Sequence, residues 1–225
     1  VSKLKIKIFA DGADLSSIQK LNDNSYISGF TTNPTLMKKA GVTDYKEFAI
    51  QALKVVNDKP ISFEVFSDEI VEMEKQAREI SSWGKNIFVK IPITNSKGQK
   101  TFELVERLSK DSIKCNVTAI FTIDQVKEIY DVVDTNTETI ISVFAGRIAD
   151  SGLDPTDIME SSIRICKPKN KIEILWASTR EVYNIMQAAN IGCHIITVPH
   201  LILKKIDGLG KDLNKLSLET VQSFL

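Results

Sequence analysis

Eight short apolar runs, rich in β-branched residues, recur along the chain at near-even intervals, and this rhythm limits the possible folds more than any other feature. They are Lys5–Ala10, Ile27–Thr31, Ile61–Phe66, Ile87–Ile91, Ile113–Val117, Ile140–Phe144, Ile172–Trp176 and Ile195–Val198. Each has the length of a strand buried on both faces. Their starts lie 22 to 34 residues apart, room for one strand, one crossover helix and two short loops. The intervening segments carry helical periodicity. Asp68–Trp83 places Ile70, Met73, Ala77 and Ile80 on one side ahead of Gly84, and Thr122–Val133 does the same with Ile123, Val126, Ile129 and Val133. Thr43–Val56 and Thr179–Ala189 follow suit. Strand and helix alternating eight times predict an α/β chain closed into a (β/α)8 TIM barrel. An open doubly wound sheet is the competitor, but no glycine-rich dinucleotide or P-loop pattern follows any strand.

The 225 residues suit one large core. No linker or low-complexity stretch divides them, so residues 1–225 are expected to form a single domain. The segment Ser217–Leu225 reads as a C-terminal helix packing on the barrel or on a neighbouring subunit. Lys plus Arg (29) balances Asp plus Glu (29), which removes the electrostatic motive for binding nucleic acid or an anionic membrane. A local basic pocket for a small anion remains compatible with that balance. No apolar run approaches the roughly 18 residues of a membrane span, and Val1–Ala10 lacks a signal-peptide block, so a cytoplasmic location is expected. Cys115, Cys166 and Cys193 are odd in number and widely spaced; they read as reduced thiols, with no metal site.

In a barrel of this kind the functional residues stand at the C-terminal ends of the strands. In Phe88-Val-Lys-Ile-Pro92, alternation puts Phe88 and Lys90 on one face. A buried ammonium without a partner costs several kcal/mol, on the order of ion desolvation penalties. Desolvation also favours the neutral amine, the nucleophile that a Schiff base requires. A structural ion pair with a lumenal carboxylate is the other reading of Lys90. Asp11 ends the first strand in phase with Phe9, Glu64 lies in phase with Ser62 and Phe66, and Asn116 and Thr118 share a face on the fifth strand. Two carboxylates and a hydroxyl around an amine suit proton shuttling, although each polar residue could be a satisfied lumenal group. The sixth strand contributes Ser142 and Phe144 in phase, then Arg147, and Ser178 and Arg180 lie just beyond the seventh. Two guanidinium groups with a hydroxyl near a helix N-terminus can grip a phosphate, whereas either arginine alone could be in a surface ion pair.

Other residues carry less chemistry. His194 and His200 lack metal-ligand spacing or a nucleophile partner and read as structural or exposed. Cys115 alternates out of phase with Asn116 and should pack against helices. Trp176 reads as lumen packing. Asn116-Val-Thr118 matches a glycosylation acceptor but sits within a buried strand.

Five segments in order resemble the transaldolase family of class I aldolases: Gly29-Phe-Thr-Thr-Asn-Pro-Thr-Leu36, Val89-Lys-Ile-Pro92, Asn116-Val-Thr-Ala-Ile-Phe121, Ser142-Val-Phe-Ala-Gly-Arg-Ile148 and Ala177-Ser-Thr-Arg180. The resemblance spans nearly the whole chain. It implies that Lys90 forms an imine with a ketose phosphate and that Asp11 takes and returns the proton of the substrate hydroxyl. Glu64 and Thr118 would hold the water that relays protons. Thr31, Asn33, Asn116 and Ser142 would bind sugar hydroxyls, and Arg147, Ser178 and Arg180 the phosphate. No metal or organic cofactor is implied, because the protonated imine is the electron sink.

The family also holds fructose 6-phosphate aldolases, which release free dihydroxyacetone. That branch tends to carry Gln where this chain has Glu64 and Tyr where it has Phe144, so the resemblance favours transfer of the dihydroxyacetone unit over its release. Small members commonly form pentamers or decamers through the C-terminal helix, which implies a homo-oligomer here. A non-catalytic sugar-phosphate-binding barrel is the alternative from a different functional class.

Overall fold

A computed structural model describes residues 4–12, 14–32, 34, 37, 41 and 43–225 of the chain. Eight parallel strands close into a barrel in sequence order: β1 (Lys7–Gly12), β2 (Ile27–Thr32), β3 (Ile61–Glu64), β4 (Ile87–Pro92), β5 (Cys115–Ile120), β6 (Thr139–Val143), β7 (Ile172–Trp176) and β8 (Ile195–Pro199). Among the described residues the helices are α1 (Leu15–Asn22), α2 (Tyr45–Val56), α3 (Ile70–Ser82), α4 (Phe102–Lys110), α5 (Ile123–Val132), α6 (Ala145–Asp150), α7 (Thr156–Cys166), α8 (Tyr183–Asn190), α9 (His200–Leu203) and α10 (Leu213–Gln222).

Local signals set where the helices begin. Asp14 and Asp44 cap α1 and α2 by accepting from the Ser17 and Glu47 backbone N–H groups at 2.8 and 2.9 Å. Thr122 and Gln125 form a reciprocal capping box on α5. The buried faces of α3 (Met73, Ala77, Ile80) and α5 (Val126, Ile129) are those expected from periodicity.

Strand alternation sorts the side chains into two apolar layers. Ile8, Val89, Ile91, Val117, Ile141, Ile174 and Val198 face the helices, together with Cys115. Phe9, Phe88, Ile140, Leu175, Ala177 and Ile195 face inward and plug the lumen. Each fully buried Phe or Ile contributes about 2 kcal/mol relative to an exposed one. The lumen is therefore a packed core, and a polar residue inside it needs a partner.

Four local expectations are corrected. Trp176 does not fill the lumen: it is out of phase with Leu175 and Ala177 and packs in the outer layer. Strand β3 stops at Glu64, leaving Phe66 outside the strand and 65% exposed. Strand β5 runs two residues later at its start and three later at its end, where its register against β6 shifts between Val117 and Ile120 with Ala119 at φ 59°. The C-terminal helix spans Leu213–Gln222, and none of its side chains is buried by the barrel.

Candidate active site

Adjacent strands β3, β4 and β5 bring Glu64, Lys90 and Asn116 into lateral register. Lys90 is buried, with 9% of its surface exposed. Its Nζ stands 3.3 Å from Glu64 Oε2 and donates to the Thr32 carbonyl at 3.1 Å. These two partners offset the cost of burying the ammonium. A short chain of bonds continues sideways: Ser142 Oγ donates to Asn116 Oδ1 at 2.6 Å, and Asn116 Nδ2 donates to Ser62 Oγ at 3.1 Å. The Tyr45 hydroxyl, reaching in from α2, donates to the Glu64 carbonyl at 2.8 Å and pins the end of β3.

Asp11 enters from the end of β1. Thr31 Oγ1 donates to its Oδ1 at 2.9 Å and lies 2.5 Å from Thr197 Oγ1 on β8. Burial pushes the Asp11 carboxyl above its ordinary value; Lys90 and the Thr31 hydrogen bond pull it down, and Glu64 pushes it further up. Buried carboxyls of this kind collect at functional sites.

The opposite wall is built from the ends of β5, β6 and β7. Thr118 directly precedes Ala119, whose left-handed backbone costs a non-glycine residue on the order of 1 kcal/mol. Arg147 on α6 lies 5.8 Å from the centre of the Phe144 ring. Ser178 also adopts a positive φ, 63°. The following turn is held by Asn184 Oδ1, which accepts from the Arg180 and Glu181 N–H groups. The Arg180 guanidinium is engaged by Asp150, with Nη2 donating to Oδ2 at 2.5 Å and Nε to both carboxylate oxygens.

These groups surround one cavity of about 190 Å³ at the C-terminal mouth of the barrel. Asp11, Thr31, Lys90, Thr118 and Ser142 line it, as do Phe144, Arg147, Ser178 and Arg180. Glu64 and Asn116 touch its lining residues Lys90 and Ser142. Asn33 lies outside the described residues. Thr179 and Thr197 also line the cavity, and sequence reasoning passed over both. In-phase alternation with Ile195 was the one available signal for Thr197, and threonine is too common in strands for that to stand out.

Among the described residues, no three His, Cys, Asp or Glu side chains are placed to hold a metal ion. His194 has a structural partner, its Nδ1 accepting from the Ile174 N–H at 3.0 Å. All three thiols are buried and unbridged; burial pushes Cys115 up to about 12. No described helix is long and apolar enough to cross a membrane. The cavity thus combines a buried amine, two nearby carboxylates, several hydroxyls and two arginines, a set able to form a covalent adduct with a carbonyl and move protons around it.

Residues 8–225 match the family described as Transaldolase/Fructose-6-phosphate aldolase. A "probable transaldolase" of Clostridium kluyveri is 39% identical over 199 residues, covering 88% of each chain. Another from Thermoanaerobacter sp. is 39% identical over 202 residues, covering 89% of each. A Burkholderia cenocepacia protein provisionally named a lyase/mutase superimposes with a TM-score of 0.65 over 92% of this chain and 81% of its own. At 10% identity that likeness concerns the fold alone.

Proposed function

The chain belongs to the transaldolase/fructose-6-phosphate aldolase family, and from this membership we propose that it is a transaldolase passing a dihydroxyacetone unit between sugar phosphates through an imine on Lys90. The observation that carries the reading is the buried Lys90 amine 3.3 Å from Glu64, in a cavity that also holds Asp11, Arg147 and Arg180.

Lys90 first passes its ammonium proton to Glu64, 3.3 Å away, and the freed amine adds to the C2 carbonyl carbon of sedoheptulose 7-phosphate. The resulting hydroxyl is protonated and leaves as water, giving a protonated imine. Glu64 and Thr118 hold the water that carries these protons. Asp11 then removes the C4 hydroxyl proton, the C3–C4 bond breaks, and its electron pair moves into the imine to give an enamine. Erythrose 4-phosphate departs as the aldehyde. Burial makes the Asp11 carboxylate a stronger base than an exposed one, which suits this step. The enamine carbon next attacks the aldehyde carbon of glyceraldehyde 3-phosphate, and the new alkoxide takes the proton back from Asp11. Hydrolysis of the imine frees fructose 6-phosphate and Lys90. Thr31, Asn33, Asn116 and Ser142 bind sugar hydroxyls, while Arg147, Ser178 and Arg180 hold the phosphate.

Borohydride added during incubation with fructose 6-phosphate should leave a reduced dihydroxyacetone adduct on Lys90, located by peptide mass spectrometry. No adduct on any lysine of the folded protein would favour a non-catalytic binding barrel. Erythrose 4-phosphate then separates transfer from release: sedoheptulose 7-phosphate should accumulate, and free dihydroxyacetone as the main product would mark an aldolase. Glu64 and Phe144 favour transfer, and Glu64→Gln should increase release relative to transfer.

Homo-oligomerisation through α10, as a pentamer or decamer, belongs to the same reading. Leu213, Leu216, Val221 and Phe224 leave an apolar surface uncovered by the barrel. Light scattering should give a multiple of the chain mass, and a monomer at micromolar concentration would contradict it. A cytoplasmic location also follows, and recovery of the activity in a membrane fraction would contradict that.

A further inference from the structure

We propose that Thr197, at the centre of β8, is a positioning residue that orders the hydroxyl chain leading to Asp11 and thereby sets the basicity of that carboxylate. The proposal rests on the reading of Asp11 as the base for C–C cleavage. Thr31 has one hydroxyl proton and two neighbours, Asp11 Oδ1 at 2.9 Å and Thr197 Oγ1 at 2.5 Å. An ionised carboxylate can only accept. The Thr31 proton therefore goes to Asp11, and Thr197 must donate to Thr31.

The direction of the chain is fixed by this count: Thr197 to Thr31 to Asp11. A hydroxyl that accepts one hydrogen bond becomes a better donor in the next. Thr197 thus strengthens the bond that stabilises the Asp11 anion, against the burial that opposes it. Thr197 is itself 7% exposed and held from the other side, where its carbonyl accepts from Thr179 Oγ1 at 2.7 Å. Thr179 lies between Ser178 and Arg180, so one β8 residue ties the base to the segment assigned to phosphate binding.

Few charges compete for control of Asp11. Lys90 from β4 and Glu64 from β3 act on it directly, and Arg147 and Arg180 share the cavity. The described residues of β2 and β8, its partners on either side in the sheet, bring no charged group. Of the helices against β1, α9 starts with His200 and α1 is preceded by Asp14 and carries Lys20 at its far end; His200 acts on Asp14.

Thr197→Val keeps the side-chain shape and removes the hydroxyl. In single-turnover cleavage of fructose 6-phosphate, its acidic limb should move up by about half a pH unit, the size expected when a charge-assisted bond loses its cooperative support. KM should stay within about twofold, since Thr197 acts through Asp11 and not on the phosphate, and Thr197→Ser should return the limb. Should the valine variant misfold, Thr197→Ala removes the same hydroxyl and must give the same shift. An unmoved limb in folded Thr197→Val or Thr197→Ala, in an enzyme whose limb disappears with Asp11→Asn, overturns the positioning role. A limb that survives Asp11→Asn, with Lys90 still trapped by borohydride, overturns instead the assignment of Asp11 as the base.

Discussion

Gly146 lies so close to Ser178 that a Cβ added at position 146 would stand 1.5 Å from the Ser178 carbonyl oxygen. The two backbones are further stitched by the Gly146 N–H donating to the Ala177 carbonyl at 3.2 Å. The contact brings the start of α6, which carries Arg147, against the strained turn that carries Ser178 and Arg180. Gly146→Ala should force the segments apart. Overpacking of this kind costs about 1–3 kcal/mol, so Tm should fall by about 5 °C. KM for a phosphorylated ketose should rise at the same time. A variant with wild-type Tm and KM would show that the two segments can separate freely.

Lys90→Ala should abolish both the borohydride adduct and turnover while circular dichroism remains that of a folded barrel. The substitution leaves Glu64 without its cation, but Glu64 keeps access to water, with 22% of its side chain exposed, which limits the damage to the fold. Measurable turnover in this variant would refute the imine assignment.

Arg180→Ala should act mainly on KM. Loss of a charge-assisted contact to phosphate is worth about 1.5–3 kcal/mol, or about ten- to a hundredfold. Steady-state kinetics with a phosphorylated and an unphosphorylated ketose check it: the first KM should rise and the second should not. Equal effects on both would remove the phosphate role. Asp150→Ala should be milder, because its pair with Arg180 is exposed on both sides.

Asp11 gives a prediction for stability with a definite sign. Folding raises its carboxyl above the ordinary value of 3.8, so the unfolded chain ionises first. The folded state carries no penalty below that value, an increasing one as pH rises through the folded value, and the full one above it. Asp11→Asn should therefore raise Tm at neutral pH, lose that advantage in strong acid, and cost cleavage activity. Thermal unfolding from pH 3 to pH 7 checks it. An equal or lower Tm at neutral pH would show that the buried charge is compensated.

The repeating apolar runs and their spacing determined the barrel, because period-two burial and crossover length are local properties of the chain. The same alternation placed Lys90, Asp11, Asn116 and Ser142 on the inner face. It failed at Trp176, assigned to the lumen although Leu175 and Ala177 own that phase, and at the end of β5, where the left-handed Ala119 interrupts the pattern.

Closure of the sheet decided the rest. Glu64 meets Lys90 because β3 and β4 pair in a particular register, and the Thr31–Thr197 contact joins residues 166 positions apart on either side of β1. Asp150 reaches Arg180 because Gly146 lets the start of α6 touch the turn after β7. Composition and periodicity carry no record of such distances. They arise when burial of the apolar faces closes the barrel and fixes which strand ends stand side by side.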